Sequence, residues 1–269
     1  MSGAFPVIRD ADRVRRLAAL PQVRPQALDR LRRAAVAVVG VGGLGTAAAP
    51  YLAAAGVGRL RLIDPDVVQE TDLGRQILYG PADVGQPKVK AAAAALTAQA
   101  PATVVEVSTE ALDAHNGRRL LEGVDVILDG LDEGRPRDFL NEYAVRTGTP
   151  VVFGGALGYE GQVVVVAPSG PCLHCLFGSV ADAAADCARE GILGPLVGVV
   201  GALQAAEALK WVMGLGAPLR GRVLQIDLFA GATRVLSFAP RAHCPVCGGQ
   251  GVPGARPAAT SERNPHSPS

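Results

Sequence analysis

Two Cys-x-x-Cys pairs have the clearest spacing for chemistry in this sequence. The first pair is Cys172 and Cys175, and the second, far downstream, is Cys244 and Cys247. Four thiolates suit a tetrahedral Zn²⁺ ion, and a two-residue spacer lets each pair bind the metal from one tight turn. A four-sulfur site keeps no open position for water, so the pattern predicts a structural zinc site; two pairs of buried thiols are the alternative.

The fifth cysteine, Cys187, stands outside this spacing, in a loop of small residues at positions 180–194. Its charged neighbours Asp186, Arg189 and Glu190 argue against a place in a hydrophobic core. An inert thiol and a reactive thiol both fit the sequence, because thiolate reactivity depends on exposure and on nearby cations.

A glycine-rich segment near the start of the chain has the spacing of a nucleotide-binding βαβ unit. It follows a β-branched run at Val36–Val39, and its glycines are Gly40, Gly42, Gly43 and Gly45. An alanine-rich helical stretch comes next, and a second apolar run ends on Asp64. Glycines let backbone N–H groups approach phosphates at a helix N-terminus, and the acid can accept hydrogen bonds from ribose hydroxyls. The segment predicts a nucleotide site without naming the nucleotide.

Charged residues downstream of the glycine turn favour chemistry at a triphosphate. The segment after Asp64 is irregular and polar, and its candidate site residues are Asp66, Asp72, Arg75, Gln76 and Lys88. Fixed cations such as Arg75 and Lys88 stabilise charge on the α-phosphate and on departing pyrophosphate. An NAD-dependent dehydrogenase has no obligatory use for them.

Acidic residues also follow the apolar strand predicted at Val124–Asp129. This strand ends in Asp129, and Leu131, Asp132 and Glu133 come directly after it. Carboxylates at the carboxyl end of a strand lie in the crevice where α/β sheets bind ligands. Asp132 is therefore a candidate to hold Mg²⁺ on the phosphates, whereas Asp129 and Glu133 fit equally well an acidic loop that caps the next helix.

Alternating apolar patterns predict an α/β fold. Up to about residue 153, predicted strands at 36–39, 103–107, 124–129 and 150–153 alternate with helices at 88–99, 116–121 and 137–147, which indicates a parallel sheet. From Gly161 the pattern changes to a β-branched run at 162–167, a long apolar helix at 196–213 and a hairpin of 223–227 with 233–238. We expect a helical, arginine-rich and exposed arm at 1–33, one folded unit at 34–248, and a disordered Pro/Gly/Ser-rich tail at 249–269.

The composition excludes several classes of protein. With 26 basic and 25 acidic residues, the chain carries no polybasic field for nucleic acid or a membrane surface. The N-terminus lacks the apolar run of a secretory signal, and glycines and Pro50 interrupt the uncharged stretch at 34–58. We therefore expect a cytoplasmic protein whose cysteines serve metal or thiol chemistry, with no membrane and no direct nucleic-acid partner.

Taken together, these segments resemble the ThiF/MoeB/HesA family, which is related to the adenylation domain of ubiquitin-activating enzymes. The matching segments run in the family's order: GVGGLG (40–45), LIDPD (62–66), TDLGRQ (71–76), GQPKV (85–89), DGLDE (129–133), EGQVVV (160–165), CLHC (172–175), Cys187, PLVGVVGALQAAEALK (195–210) and CPVC (244–247).

The resemblance implies a Rossmann-like fold with a mixed sheet, in a homodimeric enzyme that bears structural zinc. Such an enzyme uses ATP and Mg²⁺ to adenylate the C-terminal Gly-Gly carboxylate of a ubiquitin-like sulfur-carrier protein. By analogy, the glycine turn cradles phosphate, Asp64 holds the ribose, and Asp132 organises Mg²⁺. Arg75 and Lys88 then stabilise the triphosphate and the transition state. No general base is needed, because the carboxylate is already ionised.

Two further residues take roles only from the resemblance. Arg16 falls where the family places an arginine that reaches into the other protomer's site. Cys187 falls where relatives carry a cysteine proposed for sulfur transfer or a covalent carrier intermediate. Since no rhodanese-like extension follows Cys247, we expect the sulfur donor to be a separate desulfurase or rhodanese-type protein.

The chain also departs from the family pattern at three places. Asp72 and Glu133 stand where asparagine is usual, and Val14-Arg15-Arg16-Leu17 replaces the expected Tyr-x-Arg-Gln. The alternatives are an enzyme of the same fold acting on another carboxylate, as in tRNA- or peptide-modifying relatives, an ATP-binding protein without catalysis, and an NAD-dependent oxidoreductase.

Overall fold

A continuous β-sheet forms the centre of the computed structural model, which describes residues 10–132, 134–179 and 191–249. Its strands are β1 (Ala35–Val39), β2 (Arg59–Ile63), β3 (Val104–Ser108), β4 (Val126–Asp129), β5 (Val151–Leu157), β6 (Glu160–Val166), β7 (Arg222–Asp227) and β8 (Ala232–Ser237). Within these ranges the sheet has eight strands in the order β3-β2-β1-β4-β5-β6-β7-β8.

Helices cover both faces of this sheet. They are α1 (Asp10–Arg13), α2 (Arg15–Ala18), α3 (Pro25–Arg33), α4 (Gly43–Ala55), α5 (Lys88–Gln99), α6 (Gly117–Leu120), α7 (Gly134–Thr147), α8 (Leu173–Phe177) and α9 (Gly194–Met213). Short 3₁₀ turns at Glu70–Asp72 and Pro81–Asp83 lie in the irregular segment between β2 and α5.

The sheet changes from parallel to antiparallel at β5, which confirms the predicted mixed sheet. Strands β3, β2, β1, β4 and β5 pair in parallel, and helical crossovers connect consecutive parallel strands. Strands β5 to β8 pair antiparallel. Gly158 (φ +56°) and Gly231 (φ +65°) lie in the two hairpin turns of this half, in a left-handed conformation that favours glycine.

Two hydrophobic layers enclose the sheet. Strands β1 and β4 are buried along their whole length, as expected of central parallel strands with helices on both faces. On one face α4 and α9 pack so closely that a side chain at Gly201 would collide with the carbonyl oxygen of Leu44. On the other face, α7 and α8 cover β4, β5 and β6. The ends of the central strands are thereby fixed from both sides.

Helix α9 is long and apolar enough to span a membrane by composition, and half of its most apolar stretch is buried in the protein. It packs against α4, β5 and β6 and contributes Leu196 and Val200 to the core. Its composition is therefore that of a central core helix.

The arginines of α3 are exposed as predicted, but the opposite face of this helix is buried. Ala27 and Leu31 on this helix are buried, and the helix packs against α9. The Arg30 guanidinium donates a hydrogen bond to the carbonyl oxygen of Met213, the last residue of α9. A helix C-terminus leaves carbonyl groups without partners, so Arg30 links α3 to the core through a cap.

Candidate nucleotide site and cysteine cluster

An open pocket of about 970 Å³ lies at the carboxyl ends of the parallel strands, where open α/β sheets bind ligands. The predicted residues that line it are Gly40, Gly42, Gly43, Asp64, Asp66, Asp72, Arg75, Gln76, Lys88, Leu131 and Asp132. Gly45 and Arg16 do not line the pocket. Cys187 and Glu133 lie outside the described residues.

The glycines of the turn divide into two groups. A Cβ at Gly40 would lie 2.6 Å from the carbonyl carbon of Gly130, and a Cβ at Gly45 would collide with the carbonyl oxygen of Gly40. Gly40 and Gly45 therefore allow the turn to pack against its own helix and the loop after β4. Gly42 and Gly43 face the pocket at the start of α4, where the first N–H groups of a helix are available to bind phosphate.

Asp64 is fixed at the end of β2 by two backbone hydrogen bonds. Val41 N–H donates to its Oδ2 at 2.7 Å, and Asp66 N–H donates to its Oδ1 at 2.8 Å. Burial raises the pKa of Asp64 above its ordinary value, although these hydrogen bonds and the charge of Lys88 act in the opposite direction. Each carboxylate oxygen keeps a lone pair, which suits it to accept hydrogen bonds from ribose hydroxyls.

Tyr79 is a structural support of the site that the sequence did not indicate. Its hydroxyl donates to the carbonyl oxygen of Val41 at 2.7 Å and lies 3.3 Å from the carbonyl oxygen of Lys88. Burial, with the nearby charges of Asp64 and Asp72, raises the pKa of Tyr79, so its hydroxyl remains a donor. Tyr79 thereby connects the glycine turn to the beginning of α5.

The two predicted cations, Arg75 and Lys88, converge on carboxylates in the pocket wall. The Lys88 ammonium donates to Asp66 Oδ2 at 2.9 Å and lies 4.0 Å from Asp72 Oδ2. Arg75 Nη2 lies 3.4 Å from Asp72 Oδ1. Burial alone would lower the pKa of Lys88, but the hydrogen bond to Asp66 and the charges of Asp64, Asp66 and Asp72 raise it. Lys88 is therefore a fixed positive charge.

Asp129 holds the loop that follows β4 rather than facing the pocket. It is completely buried and accepts a hydrogen bond from Arg137 Nε at 2.7 Å, while Arg137 Nη2 donates to the carbonyl oxygen of Gly154, also at 2.7 Å. Burial raises the pKa of Asp129 against the opposing charge of Arg137. Leu131 N–H also donates to Asp129.

Asp132, in contrast, is exposed and lines the pocket. It follows the loop that Asp129 anchors, so its carboxylate is presented at the edge of the site. An accessible carboxylate that lines the same pocket as the predicted phosphate-binding cations fits a ligand of Mg²⁺, which prefers oxygen donors and retains several waters.

The pocket continues beyond these residues along the antiparallel half of the sheet. There it is lined by polar side chains that include Glu160, Gln162, Gln225, Asp227 and Arg234. This region lies next to the predicted nucleotide site and offers room for a second substrate.

The four predicted zinc cysteines come together in one buried cluster. The Sγ–Sγ distances are 3.7 Å for Cys172–Cys175, 3.7 Å for Cys172–Cys244 and 3.5 Å for Cys175–Cys247. All four sulfur atoms lie within 4.8 Å of one another. Zn–S bonds of about 2.3 Å in a tetrahedron place sulfur atoms roughly 3.8 Å apart, so this donor set fits Zn²⁺. The four cysteines that the sequence predicts as ligands therefore lie together, as a zinc site requires.

Hydrogen bonds and helix α8 support this cluster and connect it to the pocket. Arg241 N–H donates to Cys175 Sγ at 3.4 Å. The buried Asn141 side chain on α7 accepts a hydrogen bond from Leu173 N–H at 2.7 Å, which caps α8 at its first residue. Leu173 and Phe177 on α8 also line the pocket. The cysteine cluster therefore holds one wall of the candidate site.

Together, the sheet, the glycine turn and the four clustered cysteines define an α/β domain with a candidate nucleotide pocket and a set of sulfur atoms that fits a metal ion. A model of the ThiF family matches residues 14–246, and the chain belongs to this family.

Comparison with individual proteins shows what the chain is similar to. It is 41% identical over 247 residues to the sulfur carrier protein adenylyltransferase of Thermus thermophilus, which covers 89% of this chain and 91% of that protein. It is 39% identical over 243 residues to the SAMP-activating enzyme E1 of Haloferax volcanii, covering 90% of each. The crystal structure of E. coli MccB with ATP has the same fold, with a TM-score of 0.73 and 23% identity over 82% of this chain and 69% of that one.

Proposed function

We propose that this chain is an adenylyltransferase that transfers AMP from ATP to the C-terminal Gly-Gly carboxylate of a ubiquitin-like sulfur-carrier protein. The observation that carries the proposal is the single pocket lined by Asp64, Arg75, Lys88 and Asp132 beside the glycine turn. Similarity over about nine-tenths of the chain to a sulfur carrier protein adenylyltransferase and to a SAMP-activating enzyme supports it.

In this reaction a carboxylate oxygen of the carrier attacks the α-phosphorus, and the bond to the bridging β-phosphate oxygen breaks. Gly42, Gly43 and the start of α4 bind phosphate, while Asp64 orients the ribose. Arg75 and Lys88 stabilise charge on the α-phosphate and on departing pyrophosphate. Since the attacking carboxylate is already ionised, the protein acts by positioning and charge stabilisation, without a general base.

The proposed enzyme uses two metal ions with different roles. Asp132 would hold Mg²⁺, which would supply positive charge to offset that of the phosphates. Zn²⁺ would be held by Cys172, Cys175, Cys244 and Cys247, and its role would be structural, because a closed four-sulfur site leaves no position for a substrate.

The proposed assembly is a homodimer in the cytoplasm. Arg16 on α2 is exposed and does not line the pocket of its own chain, so in this proposal it is accessible to the partner protomer's site. After adenylation, sulfide-level sulfur from a separate donor attacks the acyl carbon, AMP leaves, and the carrier is released as a thiocarboxylate. Cys187 acts in this later step and not in adenylation.

The proposal is tested by incubating the enzyme with MgATP and a candidate carrier, and by measuring the carrier's mass. We expect addition of AMP to the intact carrier and no addition to a matched carrier that lacks its last glycine. A carrier that is modified equally well without this glycine would contradict the proposed acceptor.

A further inference from the structure

Asp72 is a buried carboxylate that accepts hydrogen bonds and lies close to two cations. Its side chain is 8% exposed, and its Oδ1 accepts from Gln76 Nε2 at 2.8 Å and faces Arg75 Nη2 at 3.4 Å. Its Oδ2 accepts from Gln69 N–H at 3.0 Å and lies 4.0 Å from Lys88 Nζ. One acidic side chain thus contacts or faces both of the cations assigned to the phosphates.

The local charge balance is negative. Three carboxylates, those of Asp64, Asp66 and Asp72, act on Lys88. Among the described residues, only two cations, Arg75 and Lys88, form ion pairs with Asp66 or Asp72. Since Lys88 and Asp72 are both mostly buried, water screens their attraction only weakly. A triphosphate that approaches these cations must therefore compete with carboxylates that already hold them.

Gln76 provides a second observation on the same group. Its side chain is buried, and its Oε1 has no hydrogen-bond partner among the described residues. The carboxylate of Asp72 dictates this orientation, because it requires the amide N–H of Gln76 and turns Oε1 away. The hydrogen bond from Gln76 to Asp72 is therefore made while Gln76 Oε1 is left without a donor, which is unusual for a buried oxygen.

An amide in place of the Asp72 carboxylate would remove the negative charge that holds the two cations, while one buried polar atom of Gln76 would still lack a partner among the described residues. After rotation of the Gln76 amide, the side chain introduced by Asp72→Asn could donate to Gln76 Oε1 and still accept from Gln69 N–H. The new amide N–H would then face the Arg75 guanidinium, donor against donor, and would release Arg75 toward the pocket. Asp72→Asn is consequently a substitution that this site can accommodate.

We propose that Asp72 competes with the phosphates for Arg75 and Lys88, so that it weakens the binding of ATP and promotes the departure of pyrophosphate. The inference rests on the proposed function, since it assigns the two cations to the triphosphate. Asp72 is a positioning residue in this account, because it acts on the nucleotide through Arg75 and Lys88.

The test measures binding of MgATP and of magnesium pyrophosphate by titration calorimetry, with adenylation kinetics alongside. We expect Asp72→Asn to bind both ligands about tenfold more tightly and to lower KM for ATP. Where pyrophosphate departure limits turnover, kcat falls as KM falls. Glu70→Gln is the matched control. Glu70 is exposed in the same 3₁₀ turn, and its substitution removes one negative charge that is not paired with Arg75 or Lys88. The affinities of this variant for both ligands should stay within about twofold of wild type.

A folded Asp72→Asn variant that binds pyrophosphate no more tightly than wild type would overturn the proposal. Asp66→Asn gives a second measurement that does not depend on the Asp72 variant, because Asp66 is exposed and pairs with Lys88. It should also bind pyrophosphate more tightly, by a smaller factor, and unchanged or weaker binding would count against the competition. Carrier adenylation by the wild type is scored separately: if it occurs while these variants show no tightening, the competition fails and the proposed function stands. A wild type that binds no ATP would overturn both.

Discussion

The candidate nucleotide pocket and the cysteine cluster both contain residues of α8 and are built from opposite arrangements of ionisable groups. In the pocket, cations and carboxylates are mixed, and Asp66 and Arg75 are partly exposed. In the cluster, four identical donors are buried at nearly equal spacing. Mixed charges with alternative partners suit a site whose ligands change during a reaction. A closed set of equivalent sulfurs suits a site that retains one ion.

The two regions share a framework that makes this contrast testable. Helix α7 carries Arg137, which pairs with Asp129 below the pocket, and Asn141, which caps α8 beside the cysteines. Substitutions in the cluster should therefore change stability first and activity as a consequence. Substitutions in the pocket should change activity and leave stability nearly intact.

The largest effect is expected at the cysteine cluster. Cys172→Ser should lower the melting temperature by about 10 °C or more and reduce bound zinc, because metal binding is coupled to folding. Calorimetry and metal analysis on the same sample measure both quantities. Cys187→Ser, outside the predicted ligand set, is the control and should retain zinc. An unchanged melting temperature in Cys172→Ser would mean that the four sulfurs do not hold a structural metal.

An effect of intermediate size is expected at Arg75. Arg75→Ala should reduce carrier adenylation by about 100-fold or more, because it removes a fixed charge at the departing pyrophosphate, while the melting temperature changes by no more than about 2 °C. The exposed Arg119, which pairs with Glu110, provides Arg119→Ala as a matched loss of charge. Equal activities of the two variants would remove Arg75 from the proposed machinery.

The smallest effect is expected at Tyr79, which belongs to the framework of the pocket. Tyr79→Phe removes the hydrogen bond to Val41 and should cost about 1 kcal/mol of unfolding free energy, or roughly 3 °C in melting temperature. Tyr51→Phe is the control, since Tyr51 is exposed on α4. If the two variants melt at the same temperature, the buried hydroxyl does not stabilise the glycine turn.

Features with local spacing could be predicted from the sequence. The glycine turn, the acid at the end of β2 and the two cysteine pairs are each defined by a short pattern. The alternation of apolar runs predicts the parallel strands, and the change of pattern from Gly161 predicts the hairpin that follows them. The position of Arg75 and Lys88 after the turn predicts that they bind phosphate. The structure places both in the pocket and adds the carboxylate partners, which no spacing rule specifies.

Contacts between distant segments could not be predicted in the same way. Tyr79, Arg137, Asn141 and Gln204 support the site through partners on other elements, for example the hydrogen bond from Gln204 Nε2 to the carbonyl oxygen of Asp129 at 2.7 Å. Similarly, the arginine-rich sequence of α3 concealed Ala27 and Leu31, whose burial depends on where α9 lies. A sequence pattern shows which residues are apolar or charged, but tertiary packing decides which partner each one meets.

Carrier-dependent ATP–pyrophosphate exchange tests the central claim most directly, because it reports the reversible formation of an acyl adenylate in this pocket. We predict exchange only when a carrier ending in Gly-Gly is present, and its loss in Asp132→Ala. Exchange that proceeds without any carrier, or that persists at the wild-type rate in Asp132→Ala, would contradict the account.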